Sequence, residues 1–205
     1  MSTIEIFADV WCPFAHVGIR ALVARRRELG REDVDLWIRA WPLELVNSKP
    51  LDPHEVAHEV AALRDQVAAG LFVGFAEHRF PRTSLPALAL AAAAYRRDTR
   101  TGEQVSLALR DAIFEEGRDI GDSQVLASIA LAHDVGVATP NDHESVLADW
   151  REGQRRGVKG SPHFVCGGIS EFCPSLDITK DDDDNLHIRA NPDALEGFVT
   201  RCMAL

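Results

Sequence analysis

The sequence predicts a mixed α/β domain interrupted by a helical block. Three observations carry this reading. An apolar, β-branched run at Thr3–Val10 passes directly into Cys12-Pro13 and a helix-spaced pattern. Several helical segments then follow one another through the middle of the chain. Strand character returns only near the end, after Pro162.

Each element has its own signal. Thr3–Val10 alternates and is rich in Ile, Phe and Val, so it reads as a strand. Pro13 suits the first helical position, where its missing N–H would have no partner anyway. Val17, Ala21, Leu22 and Leu29 continue that helix, and Gly30 stops it. Val34–Trp41 is a second strand. Helices follow at Pro53–Ala69 (apolar face Val56, Val60, Leu63, Val67), Pro86–Arg97 and Thr101–Glu116. Two more run from the cap Asp122 to about Val135 and from Asn141 to near Gly157. Pro162–Cys166 is a short strand, Gly167-Gly168 a hairpin turn and Ile169–Phe172 its return. Asp181–Asn185 is a polar turn before Leu186 and Ile188. Asn191-Pro192 opens a last helix ending at Met203. No internal repeat is visible.

Composition narrows the function classes. The chain has 205 residues, 46% hydrophobic and 26% charged, as expected of a globular protein with a sizeable core. Its net charge of -10 argues against nucleic-acid or anionic-membrane partners. The basic clusters Arg25-Arg26-Arg27 and Arg155-Arg156 sit in helical stretches and read as solvated faces. The apolar stretch Leu85–Tyr95 is too short to span a bilayer. No signal peptide is recognisable, so a cytoplasmic location is expected, with reduced thiols. The four cysteines Cys12, Cys166, Cys173 and Cys202 lack zinc-ribbon spacing. No metal is expected. Asp181–Asp184 lacks the glycine and glutamate of a calcium loop. His54-Glu55-Val56-Ala57-His58 matches the HExxH string, but no third ligand is evident.

The sharpest local feature is Val10-Trp11-Cys12-Pro13-Phe14. A cysteine between a buried strand and a helix start is either a small core residue or a reactive thiol. Unpaired amides and the helix dipole favour the thiolate and point to the second. A second feature is Gly157-Val158-Lys159-Gly160-Ser161-Pro162-His163-Phe164. Its proline is either an edge-strand proline or a cis proline.

Together these two segments make the chain similar to the DsbA-like thioredoxin-fold oxidoreductases, in particular their FrnE-type and 2-hydroxychromene-2-carboxylate-isomerase-type relatives. The resemblance covers nearly the whole chain. It implies a thioredoxin-like fold with a helical insertion: residues 1–50 and 150–205 form the thioredoxin-like part and 51–149 the insertion. It implies that Cys12 is the nucleophile, within the catalytic segment Cys12, Pro13, Phe14, Ala15 and His16. It further implies that Pro162 is a cis proline facing Cys12, and that Trp11, Ser161 and Pro162 bind substrate. The backbone of Ser161 would pair with an extended peptide or thiol ligand. His16 is a candidate for proton transfer near the sulfur.

The chain departs from the dithiol pattern at Ala15, where the resolving cysteine would stand. A mixed disulfide then has no neighbouring thiol to release it. The expected activity is monothiol thiol–disulfide exchange on a protein disulfide or small-molecule substrate. Glutathione or mycothiol would be the co-substrate, with no tightly bound cofactor; a homodimer is compatible with this. The alternatives are a thiol-dependent isomerase or transferase, in which Cys12 positions the thiol, and a non-catalytic peptide-binding module.

Overall fold

The computed structural model describes residues 3–203. Its elements are β1 (Thr3–Ala8), α1 (Pro13–Glu28), β2 (Asp35–Ala40), α2 (Leu43–Val46) and α3 (Pro53–Gln66). A 3-10 turn (Glu77–Arg79) leads to α4 (Leu85–Arg97), α5 (Thr99–Phe114), α6 (Ser123–Ala132) and α7 (Pro140–Arg155). Then come β3 (His163–Cys166), β4 (Ile169–Phe172), β5 (Leu176–Lys180), β6 (Leu186–Ala190) and α8 (Pro192–Met203).

The main sheet has the order β2-β1-β3-β4. β1 is parallel to β2 and antiparallel to β3, and β3 pairs antiparallel with β4. Helix α1 is the crossover that a parallel pair requires. Its start follows Cys12, which holds extended angles, and its end is closed by Gly30 at φ +64°. This is a thioredoxin-like arrangement with a helical block between β2 and β3, and the expected strand, helix and hairpin order is present. Three elements were not foreseen: α2, the 3-10 turn and β5. β5 pairs with β6 as a separate hairpin whose turn is Asp181–Asp184. Gln66, at the end of α3, docks that hairpin: its amide donates to Leu186 O (3.0 Å) and accepts from Ile188 N (2.8 Å).

Capping sets the helix starts. Asp52 accepts from His54 N, Asp98 from Thr101 N and Asp122 from Gln124 N, each at 2.8 Å. Thr139 and Asp142 form a capping box at α7. The alanine-rich α4 is buried on most sides because α5 and α7 both pack on it. Two apolar clusters result. One gathers Ile4, Ile6, Ile19, Leu22, Leu36 and Phe164 around the main sheet. The other joins Leu63, Phe72, Leu88, Leu109 and Phe114 with Trp11. Side chains from the helices close the outer edge of β2. The Tyr95 hydroxyl accepts from Ile38 N (2.8 Å) and donates to Leu36 O (3.0 Å), and Asp149 accepts from Ala40 N (3.1 Å). An edge strand is thereby covered.

Candidate functional site

The two expected segments meet. Cys12, at the cap position of α1, directs its sulfur at the Ser161 carbonyl, 3.2 Å away. The Ser161–Pro162 peptide bond is cis. The Ser161 hydroxyl accepts from Asp9 N at 2.9 Å, so β1 and the segment before β3 are pinned on both sides of Cys12. Gly18, in the second turn of α1, allows this approach. A Cβ there would stand 2.9 Å from Ser175 Oγ and 3.3 Å from Pro162 Cγ. Trp11 is fully buried and stacks on Phe80 of the helical block (centroids 5.5 Å apart, planes 13° apart). Pro13 and Ala15 are buried, and Phe14 is half-buried between the two clusters. Ala15 shares the cluster of Cys12.

Two expectations are corrected. The helix start was expected to lower the Cys12 pKa. Instead, Cys12 is only 4% exposed, and burial pushes its thiol up to about 12. With the sulfur buried in this way, the thiol is protonated at neutral pH and donates to Ser161 O. The ring of His16 was expected near the sulfur, and it is engaged elsewhere. It is fully buried against Phe72 and Phe114, and its Nε2 lies 2.7 Å from Glu115 Oε1. Burial holds this imidazole below its ordinary pKa. Glu115 also accepts from Phe72 N (3.0 Å) and Val73 N (3.3 Å), so the pair ties α1 to the helical block.

The other cysteines are free and buried. Cys166 stands opposite Ile169 in the hairpin, as the Gly-Gly turn requires. Cys173 donates its backbone N–H to Pro162 O at 3.0 Å, and burial pushes its thiol up to about 12. His54 and His58 face each other on α3, Nε2 to Nε2 at 3.2 Å, and Glu77 Oε1 is 3.4 Å from His54 Nδ1.

Residues that pattern reading left without a role surround Cys12. Asp9 is fully buried. Its Oδ2 accepts from Leu43 N (2.6 Å), and its carbonyl accepts from Cys12 N (3.4 Å) and Arg110 Nη2 (3.1 Å). Burial pushes the Asp9 carboxyl up to about 7. Glu59 of α3 is likewise pushed up to about 7, and its charge opposes a Cys12 thiolate. The available signal was a lone acid closing an apolar strand (Asp9) and a lone arginine on the apolar face of α5 (Arg110).

Known proteins share this framework. Residues 3–182 match the family described as a DSBA-like thioredoxin domain. Among solved structures, the cytosolic disulfide reductase DsbM from Pseudomonas aeruginosa is similar at TM-score 0.63 and 16% identity, covering 99% of this chain and 100% of that one. It has also been solved with GSH. The DsbA-type oxidoreductase SCO1869 from Streptomyces coelicolor is similar at TM-score 0.67 and 18% identity, covering 100% and 89%. The 2-hydroxychromene-2-carboxylate isomerase is similar at 0.64 and 12%, covering 83% and 88%. At these identities the likeness is one of fold. No protein of curated function matches the chain in sequence. With the match spanning residues 3–182 and the sheet, the helical block and Ser161–Pro162 arranged as described, the chain belongs to the DSBA-like thioredoxin domain family.

Proposed function

We propose that this protein carries out thiol–disulfide exchange through Cys12 alone, with a low-molecular-weight thiol completing each turnover. The carrying observation is the Cys12 sulfur at the start of α1, 3.2 Å from the Ser161 carbonyl, with Ala15 one turn further on. Cys12 attacks a substrate disulfide R–S–S–R′, forming Cys12–S–S–R and releasing R′–S⁻, which takes up the Cys12 proton. An external thiol R″–SH then attacks the R sulfur. Cys12 leaves as the thiol and R–S–S–R″ departs, so no other oxidant is needed. Trp11, Ser161 and Pro162 would hold the substrate, with Pro13, Phe14 and Ala15 shaping the helix start. His16 would position α1 through Glu115 without acting on the sulfur. Glutathione is a fitting co-substrate because a structural neighbour has been solved with it; mycothiol is the other candidate. The proposal includes the division into residues 1–50 with 150–205 and an insertion at 51–149, supported by the two apolar clusters. It also includes a cytoplasmic setting, compatible with free thiols and with the finding that no described helix is long and apolar enough to cross a membrane.

The raised Cys12 pKa favours a second reading, in which Cys12 stays protonated and donates to the sulfur of a bound thiol. That thiol would then serve an isomerase or transferase reaction. Cys12→Ser separates the two. Glutathione-dependent reduction of a glutathionylated peptide should fall by at least about a hundredfold, because the sulfur nucleophile is gone. Retained exchange in Cys12→Ser would refute the monothiol reading, since a serine hydroxyl can donate but cannot form the mixed disulfide. No turnover of the wild type with any thiol would leave the binding-module reading.

A further inference from the structure

The start of α3 carries a pair of histidines that the thiol site does not use. Asp52 caps this helix by accepting from His54 N at 2.8 Å, which places His54 in the first turn. His58 stands one turn further on, so the two rings share a helix face. They meet edge to face, with centroids 4.7 Å apart and planes 81° apart. Their Nε2 atoms are 3.2 Å from each other. Both residues are exposed, and the His54 side chain keeps 71% of its surface open to solvent.

That spacing suits a shared metal ion. Two metal–nitrogen bonds of about 2.0–2.1 Å hold their nitrogens roughly 2.8–3.4 Å apart, from square to tetrahedral geometry. The far side of His54 supplies a second, independent observation. Glu77 Oε1 lies 3.4 Å from His54 Nδ1. A carboxylate there keeps the ring proton on Nδ1 and leaves Nε2 free as a ligand, the arrangement in which an outer carboxylate orients a metal-bound histidine. Glu77 comes from the 3-10 turn and not from α3, so helix spacing alone does not bring it there. Among the described residues, no group of three or more His, Cys, Asp or Glu side chains is placed to hold a metal. A peptidase centre of the HExxH kind needs a third protein ligand, whereas a two-histidine chelate fills its remaining positions with water.

We propose that His54 and His58 chelate a divalent transition-metal ion through their Nε2 atoms, with Glu77 orienting His54. The ion belongs to the class that favours imidazole, namely nickel, copper or zinc, and not to the oxygen-seeking magnesium and calcium. Through Glu77 the bound ion braces α3 against the 3-10 turn. The site is separate from Cys12, whose sulfur is directed at the Ser161 carbonyl.

The test titrates the untagged whole chain with nickel chloride, and separately with magnesium chloride, by calorimetry. One nickel ion is expected to bind per chain with micromolar affinity, and magnesium is expected not to bind. His58→Ala and His54→Ala should each weaken nickel binding at least about tenfold, because one of the two ligand bonds is lost. Both positions are exposed, so the far-ultraviolet circular dichroism should stay unchanged. Glu77→Gln should weaken nickel binding about tenfold without removing a ligand. Unchanged nickel affinity in either histidine variant would place the ion elsewhere and overturn the proposal. No nickel binding up to about 1 mM would also overturn it, as would magnesium binding as tight as nickel. Unchanged affinity in Glu77→Gln would overturn the orienting role of that residue. The two titrations of the wild type decide even if a variant does not fold.

Discussion

His16→Gln should remove an acid-sensitive contribution to the protein's stability. His16 is fully buried and bonded to Glu115, and burial holds its pKa near 4 instead of the ordinary 6.5. The unfolded chain takes up a proton at this residue near pH 6.5, while the folded chain refuses it until lower pH. Between these values the unfolded state binds more protons at this residue, so the His16 contribution to stability falls as pH drops below 6.5. Each pH unit is worth about 1.4 kcal/mol, so going from pH 6.5 to 5 removes about 2 kcal/mol. That is a large share of a typical stability of about 5–15 kcal/mol. Glu115 is held below its ordinary 4.5, so its contribution stays in place down to that pH; the raised carboxyls of Asp9 and Glu59 act in the same window with the opposite sign, equally in wild type and variant, so the difference between the two proteins reports His16. Glutamine keeps an N–H for Glu115 and does not titrate. Urea unfolding at pH 6.5 and 5.0, followed by circular dichroism, should show a wild-type midpoint falling by about 1 M more than that of the variant. The variant loses the ring contacts with Phe72 and Phe114 at both pH values, so only the difference between pH values is read. Equal pH dependence in the two proteins would refute a buried, neutral His16.

Ala15→Cys should form an internal disulfide with Cys12 and release its bound substrate without an external resolving thiol, because residues three apart share a helix face. Its reduced form should be destabilised by about 1–3 kcal/mol, since Ala15 is fully buried; a folded variant that keeps both thiols free under oxidant would contradict the placement of Cys12. In the native wild type at pH 7.5, iodoacetamide should modify Cys12 about a thousandfold more slowly than in urea. The rise from 9.0 to about 12 lowers the thiolate fraction by that factor. Faster labelling in the native state would show that the helix start, not burial, controls the sulfur.

The parts legible in the sequence were those with local causes. β1, α1, its Gly30 stop and β2 follow from alternation, a first-turn proline and a glycine at positive φ. The β3–β4 hairpin follows from Gly167-Gly168. β5 was missed because only Leu176 is buried along it, and its hairpin is held by Gln66, which lies 120 residues before Leu186. The Cys12 and Ser161 segments were readable as motifs. The use of His16 was not, because Glu115 lies 99 residues away and nothing near His16 in sequence marks it as a partner. The burial of Trp11 likewise depends on Phe80, in a different part of the chain.

The same distinction bears on the thiolate that the helix start was expected to favour. A helix start contributes typically 0.3–1 kcal/mol, and up to about 2 in favourable geometry. A rise of about three pKa units at a fully buried sulfur corresponds to roughly 4 kcal/mol in the other direction. Burial therefore wins while Cys12 is enclosed. The amide dipoles of α1 are fixed by the backbone and persist whatever the exposure, whereas the burial penalty vanishes as soon as water or a polar substrate reaches the sulfur. On the proposed reading, the balance reverses when a seated disulfide substrate opens the sulfur to a polar environment. The thiol is then unreactive toward small electrophiles at rest and becomes a nucleophile when a disulfide is seated beside Ser161. On the proposed reading, reactivity is controlled by access to Cys12, whose buried sulfur rests against the Ser161 carbonyl.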